Sequence, residues 1–225
     1  MKAIPATFLF CLSLSAAAPA LAASKAELDA QALAVRQALS QSVDIAVNQL
    51  GRAGGYWGNP KVRIPLPEEI RHLEKSLRRV GLERYADEFG ESLNRAAEAA
   101  VPEAKPVLVA AIRELSLHDA VGIVRGRDDA ATRYFQVHSD AALRERLQPI
   151  VAQSMNRVQV TAAYKRLMKK AAFLDKAVEP GQLDLDAYVT REALNGLYLL
   201  MAEEEQRIRR DPVARTTGLL QNVFR

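Results

Sequence analysis

The chain has 225 residues, of which 49% are hydrophobic, 26% are charged and 6% are aromatic. Ala, Leu, Glu, Arg and Gln dominate, and aromatic and β-branched residues are sparse, so the composition favours helices over a sheet-rich fold. The 31 basic and 27 acidic side chains give a formal charge of +4 and are interspersed along the chain. This pattern aids solubility and argues against a nucleic-acid partner.

Residues 1–22 have the pattern of a cleavable signal peptide. They combine a positive start, an apolar stretch at 8–18 that is too short to span a bilayer, and a cleavage site at Ala20-Leu21-Ala22. We therefore expect export to the bacterial periplasm and a mature chain that begins near Ala23. Cys11 is the only cysteine and leaves with the peptide, so the mature chain would depend on a packed core without disulfides. No later segment is apolar for long enough to form a transmembrane segment.

Apolar residues recur at steps of three and four along most of residues 23–225, which predicts amphipathic helices. The stretch 51–67 contains four glycines and three prolines and is predicted to be an irregular loop. The other connections are short, so we predict an all-α fold with one helical domain at 23–225 and about eight to ten helices. The helices are expected at 25–50, 67–80, 82–101, 106–115, 116–124, 130–137, 140–157, 160–174, 190–209 and 211–224.

Several of these boundaries depend on breaking and capping residues. Pro102 and Pro106 are expected to break the central helix, because proline removes a backbone hydrogen bond. Asp128 is expected to cap the helix that follows it, and Ser139 is expected to cap a separate helix. Thr190 is expected to open a long helix near the C-terminus.

Blocks of sequence in both halves of the chain carry a resemblance to a known family. They are NPKVRIPLP at 59–67, NRAAEAA at 94–100, DDAATRYF at 128–135, YVT at 188–190, EEE at 203–205 and DPVARTT at 211–217. Together they resemble an exported bacterial family designated domain of unknown function 4197, over nearly the whole predicted mature chain. The resemblance implies export to the cell envelope, and it implies no activity, substrate or catalytic residue.

The predicted central helix carries a polar group among alanines. Asn94 and Glu98 are four residues apart and share a helix face, and Arg95 is next to Asn94. With the more distant Arg215, this cluster could bind a ligand or a partner. The alternative is a hydrogen-bond network between helices, in which Arg95 or Arg215 neutralises a buried Glu98, because a lone buried charge is costly.

Loop 51–67 is the best surface candidate for function. Trp57 and Arg63, with Tyr56 and Lys61 beside them, place aromatic and cationic groups on irregular backbone at the edge of a rigid scaffold. Exposed, these groups would suit a protein partner or an anionic ligand. In the alternative, the apolar part of the loop, Trp57 included, covers the core as a lid, and the two interpretations are compatible.

The sequence contains no complete metal or catalytic motif. No two of His72, His118 and His138 are four residues apart, so the spacing of a zinc site is missing. Ser116 and His118 are close in sequence but have no nucleophile elbow around them. The glycines at 51–58 lack the lysine and the serine or threonine of a phosphate-binding loop. We therefore predict no catalytic residue, no metal and no cofactor.

Two acidic groups have structural interpretations. Asp128 and Asp129 could be paired carboxylates for acid–base chemistry, but adjacent aspartates at a helix start more often cap the helix and interact with its dipole. The acids at 203–205 point in three directions around a helix, so they are predicted to form a solvated face that pairs with nearby arginines.

The leading functional hypothesis is a non-enzymatic periplasmic module that binds a protein partner or a small apolar or amphiphilic ligand. Small helix faces and the lack of a complete catalytic set favour it. The alternative is an undescribed enzyme that uses the cluster of Asn94, Arg95 and Glu98 in one cleft, together with Arg215 or the pair Asp128 and Asp129. A purely structural envelope protein is a third class.

Overall fold

The computed structural model describes residues 24–116, 118, 120–174 and 183–224, and in this part of the chain it contains eight α-helices, one 3₁₀ helix and no strand. The all-α prediction is confirmed, and none of these helices is both long and apolar enough to cross a membrane. The predicted signal peptide lies outside the described residues. The helices are α1 (Lys25–Leu50), α2 (Glu68–Arg79), α3 (Arg84–Glu114), α4 (Ala120–Arg125), α5 (Ala130–Arg157), α6 (Val160–Leu174), α7 (Leu185–Arg210) and α8 (Gly218–Val223), and the 3₁₀ helix Pro212–Ala214 lies between α7 and α8.

Helix α3 lies at the centre of the array, as predicted, and contacts α1, α2, α5, α6 and α7. Large side chains such as Phe89 and Leu93 are fully buried on it, and alanines at 96, 97 and 100 are buried between them. Small side chains let neighbouring helices approach closely, and the large ones fill the space that remains. A second, smaller apolar cluster forms where α8 packs on α1, and it includes Ile208 of α7.

The predicted breaks at Pro102 and Pro106 are wrong, because both prolines lie inside α3. A proline in a helix interior removes a hydrogen bond and costs about 3 kcal/mol. Buried side chains on both sides of the prolines, from Val101 to Ile112, offset this cost by packing against the surrounding helices. Pro102 also packs on Gly51, where a Cβ would lie only 2.6 Å from Pro102 Cγ.

Helix α5 is likewise continuous where two helices are predicted. Ser139, the predicted cap, is buried inside α5, and Pro149 also lies within this helix. Asp128, the predicted cap of its first turn, forms an ion pair with Arg210 instead. Asp129 occupies the cap position but makes no side-chain capping hydrogen bond. The free backbone N–H groups in the first turn of α5 therefore find their hydrogen-bond acceptor in another part of the chain.

Glu205 of α7 caps α5 from outside. Its buried carboxylate accepts hydrogen bonds from the backbone N–H groups of Ala131 at 2.9 Å and Thr132 at 2.8 Å. Arg209 pairs with the same carboxylate at 2.8 Å and donates to two carbonyls at the end of α4. The predicted pairing of these acids with nearby arginines is confirmed for Glu204 and Glu205. The predicted solvated face is wrong at both positions, because both side chains are buried. Both ends of the ion pair have polar partners, as burial of charge requires.

The bounds of α7 and α8 also differ from the prediction. Asp184 caps α7, accepting a hydrogen bond from the backbone N–H of Ala187 at 2.9 Å. Thr190 lies inside this helix, and its hydroxyl donates to a backbone carbonyl one turn earlier. The predicted last helix divides into the 3₁₀ helix and α8, which begins after the cap residue Thr217.

Gln159 lies between α5 and α6 with a φ of 58°. Left-handed backbone costs a residue with a Cβ roughly 1–2 kcal/mol, which exceeds the extra chain entropy that glycine loses. We expect Gln159→Gly to raise the free energy of unfolding by about 0.5 kcal/mol in urea denaturation.

Gly81→Ala is the reciprocal control. Gly81 has a φ of 73°, and a Cβ there would meet no atom within 4 Å, so the substitution introduces strain alone. It should lower stability by about 1 kcal/mol. A loss of stability in Gln159→Gly would instead mean that the glutamine side chain contributes more than its backbone strain costs.

Candidate functional site

Loop 51–67 joins α1 to α2, and its last part is extended with alternating sides. Val62, Ile64 and Leu66 are buried, whereas Lys61, Arg63 and Pro65, which alternate with them, are exposed. The inner side of the loop therefore adds to the core, and the outer side carries cations. The prediction of an irregular segment is confirmed.

Glu98 holds the first half of this loop. Its carboxylate accepts hydrogen bonds from the backbone N–H groups of Tyr56 and Trp57, both at 3.0 Å to Oε1, and of Gly54 at 3.2 Å to Oε2. The side chain is buried, and no cation pairs with it among the described residues. Backbone N–H groups therefore take the place of a counter-ion around this carboxylate.

Asn94 holds the second half. Its Oδ1 accepts a hydrogen bond from the backbone N–H of Ile64, and its Nδ2 donates to the Ile64 carbonyl, both at 2.8 Å. Nδ2 also donates to the carbonyl of Gly90 in α3 at 2.8 Å. The amide thus pairs with both backbone groups of one extended residue, as a neighbouring strand would. Asn94 and Glu98 lie one turn apart, so a single face of α3 fixes the path of the loop.

Tyr56 fastens the loop to α7. The ring is fully buried, and its hydroxyl donates to the carbonyl of Ala193 at 2.7 Å. Burial, together with the negative charge of Glu98, raises the pKa of Tyr56, so the hydroxyl stays protonated as a donor. Gly196 makes room for the ring, because a Cβ there would lie 2.8 Å from Tyr56 Cε1. Tyr188 adds a second tie from α7, donating to the carbonyl of Pro65 at 2.8 Å.

Trp57 and Arg63 form the outer side of the loop. The Arg63 guanidinium lies 4.6 Å from the centroid of the Trp57 ring, and its Nε donates to the Trp57 carbonyl at 2.7 Å. The ring itself is half-buried and packs over Gly90 of α3. Lys61 is exposed and pairs with Glu203 at 2.7 Å. The lid and the exposed-surface interpretations of the loop thus describe its two sides.

The structure brings together four of the six candidate residues. Asn94 and Glu98 lie beneath the loop that carries Trp57 and Arg63. Arg95 points away, is 63% exposed and pairs with Glu91 at 2.6 Å. Arg215, the fourth member of the predicted polar cluster, also lies elsewhere. Its guanidinium donates to backbone carbonyls at the end of α7, so Arg215 caps that helix and does not reach Glu98.

Sequence reasoning missed three features of this site. The sequence pattern places Tyr56 among the surface side chains of the loop, yet it is fully buried. The close contact of Gly196 with Tyr56 is the second feature, and an isolated glycine inside a helical pattern is the signal that indicates such a contact. The tie from Tyr188 to the loop joins residues distant in sequence, and no local pattern indicates it.

A second polar group lies in a groove of about 360 Å³ beside the end of α3. There Ser116 Oγ lies 2.8 Å from His118 Nε2, and Tyr134, His138 and Arg146 also line the groove. Among the described residues no carboxylate pairs with His118, so a base would have no orienting acid. Nor does the described part of the chain bring three potential His, Cys, Asp or Glu ligands together for a metal ion.

Residues 25–225 match the family described as "Protein of unknown function (DUF4197)". The chain belongs to that family. The resemblance carried by the sequence blocks is thereby confirmed, and the family description assigns no activity. No curated protein and no solved structure is similar enough to count as a match. Any statement about function must therefore rest on the site itself.

Replacement of Glu98 tests the attachment of the loop. Glu98→Gln places an NH₂ group against at least one of the three N–H donors, so we expect the free energy of unfolding to fall by about 2–3 kcal/mol. Urea denaturation followed by circular dichroism measures this loss. Glu91→Gln is the matched control on the same helix, and the loss of its exposed ion pair should cost less than about 0.5 kcal/mol. Equal stability of the two variants would contradict this role of Glu98.

Two helix glycines provide a test of the contact with α7. Gly196→Ala should lower stability by about 2 kcal/mol, because its Cβ would overlap the Tyr56 ring. Gly90→Ala should raise stability by about 0.5–1 kcal/mol, because its Cβ would meet Trp57 and Leu66 at an ordinary 3.5 Å and alanine favours a helix. Thermal unfolding of both variants measures the difference, and unchanged or raised stability of Gly196→Ala would contradict a tight fit at Tyr56.

Proposed function

We propose that this chain is a non-enzymatic periplasmic module that binds a protein partner through the outer side of loop 51–67. The observation that carries the proposal is the arrangement of the loop: buried polar side chains fix its backbone while Trp57 and Arg63 stay at the surface. Irregular loops longer than about 12–15 residues are uncommon in compact domains, and ordered ones usually have a function.

The chemistry of this surface supports a protein partner. Tryptophan and arginine are the residue types that most often dominate the binding energy of protein interfaces. A loop whose backbone is already held by Asn94 and Glu98 loses little conformational entropy on binding. The polar groups buried beneath the loop thus favour an interface of defined shape.

A small apolar or amphiphilic ligand has less support. An apolar cavity among α3, α5 and α7, lined by residues such as Leu108, Val151 and Leu197, has a volume of about 20 Å³. That is room for one water molecule, whereas ligand pockets typically have about 300–1,000 Å³. This cavity would have to expand greatly to hold an amphiphile. The larger groove of about 360 Å³ beside α3 has charged side chains such as Glu114 and Arg146 in its lining, which suit an apolar ligand poorly.

The enzyme alternative also has less support. The polar atoms of Asn94 and Glu98 are engaged by backbone groups. Arg95 and Arg215 have other partners at other places in the fold. Nothing in this cluster remains available to a substrate, so the geometry supports positioning of the loop over catalysis. The periplasmic location of the proposal rests on the signal-peptide pattern at 1–22.

Site-specific photo-crosslinking in cells tests the proposed function. A photoreactive amino acid at Pro60, which is exposed on the loop, should give a discrete product with one envelope protein. The same amino acid at Val213, which is 89% exposed beyond α7, is the matched control and should not give that product. The captured protein, purified and mixed with this chain, should bind at least about tenfold more weakly to the Trp57→Ala variant.

Circular dichroism must show that Trp57→Ala is folded before its affinity is compared. No product at position 60, the same product at position 213, or undiminished affinity of folded Trp57→Ala would each contradict the proposal. Fractionation of cells that express the full chain checks the location, and retention of the protein in the cytoplasm would contradict the periplasmic part.

A further inference from the structure

We infer that Arg63 is a carboxylate receptor, which binds an Asp, Glu or C-terminal carboxylate of the protein partner through both of its terminal nitrogens. This inference rests on the proposed function and names the chemistry of its contact. It follows from how the Arg63 guanidinium is held and from which other groups of the loop are already occupied.

The Arg63 side chain is fixed before any partner arrives. Its Nε donates to the Trp57 carbonyl at 2.7 Å, and the guanidinium carbon lies 4.6 Å from the centroid of the Trp57 ring. These two contacts use one edge and one face of the planar group. Among the described residues no carboxylate pairs with Arg63, and neither terminal nitrogen has a hydrogen-bond partner. The edge formed by Nη1 and Nη2 is therefore open, and it matches the two oxygens of a carboxylate.

The glycine-rich backbone of the loop already binds an oxyanion, which is the chain's own Glu98. The N–H groups of Gly54, Tyr56 and Trp57 converge on its two oxygens at 3.0–3.2 Å. Converging backbone N–H groups of this kind otherwise form sites for phosphate. Because Glu98 occupies them, an external anion meets the outer cations of the loop and not its backbone.

Among the outer cations, Arg63 alone is both open and held in place. Lys61 is paired with Glu203 at 2.7 Å. Arg52 is exposed, and in the described part of the chain its side chain has neither an ion pair nor a ring contact that would hold it. Phosphate sites usually combine several cations or backbone N–H groups, whereas one planar fork suits one carboxylate. The geometry therefore favours a carboxylate of a protein over a phosphate group.

The single tryptophan of the chain makes the test direct. Trp57 is the only Trp, so its indole N–H signal reports on Arg63 without overlap from other rings. We would titrate the folded chain with N-acetyl-tetraglutamate amide and follow this signal by nuclear magnetic resonance. The neutral N-acetyl-tetraglutamine amide is the control peptide. The acidic peptide should give a saturable shift, and the neutral peptide should give none.

Two matched variants distinguish binding of the carboxylate by both terminal nitrogens of Arg63 from simple attraction by positive charge. Arg63→Lys keeps the charge but loses both the fork and the contact with the Trp57 carbonyl, so it should bind at least about tenfold more weakly. Arg52→Gln removes one charge from the same loop and should bind nearly as the unchanged chain does. Arg63 is exposed, so thermal unfolding of Arg63→Lys should match that of the unchanged chain.

Three results would overturn the inference: equal binding by Arg63→Lys, an equal loss in Arg52→Gln, or no shift with the acidic peptide. A stronger shift with inorganic phosphate would assign the fork to a free phosphate, and one with phosphatidylglycerol vesicles would assign it to a lipid headgroup, so either overturns it too. The proposed function fails separately, by loss of the crosslink at Pro60. A crosslinked partner whose affinity is unchanged in Arg63→Lys would leave the interface in place and remove only its carboxylate contact.

Discussion

The carboxylate of Glu98 satisfies backbone N–H groups of loop 51–67 at three positions, and the shape of the outer surface depends on this contact. Each side of the interaction needs the other. A buried carboxylate requires hydrogen-bond donors, and the N–H groups of a turn that packs against a core require acceptors. Asn94 meets the same need for the extended part of the loop at Ile64. Helix α3 therefore positions a segment that has no regular structure of its own.

A second buried carboxylate follows the same rule at the other end of the fold. Glu205 accepts hydrogen bonds from the first turn of α5. Arg209, the charge partner of Glu205, also donates a hydrogen bond to a carbonyl at the end of α4. In both places a glutamate on a long helix satisfies N–H groups of a different segment. These two buried glutamates thus fix the relative positions of backbone segments, and each of their carboxylate oxygens accepts at least one hydrogen bond.

Function must be argued from the surface that these contacts produce. The family to which the chain belongs has no assigned activity, and an all-α fold by itself does not indicate one. What distinguishes the loop is the contrast between its two sides. Tyr56, Ile64 and Leu66 are locked into the core, whereas Arg63 lies over Trp57 with its outer edge open. A held backbone and an ordered cation reduce the entropy lost on binding, which is why a partner-binding role suits this surface better than the buried cluster suits catalysis.

The local sequence pattern by itself determined where many helices and the main loop lie. Periodicity predicted α1 and α6 with their bounds, the glycines and prolines predicted the loop, and the four-residue spacing placed Asn94 and Glu98 on one helix face. Only the tertiary structure decided what that face contacts: backbone N–H groups and not Arg95 or Arg215. It also decided that α3 continues through Pro102. The reason is the same in each case, because spacing along a helix defines a face, whereas the energy of burial depends on segments distant in sequence that pack against it.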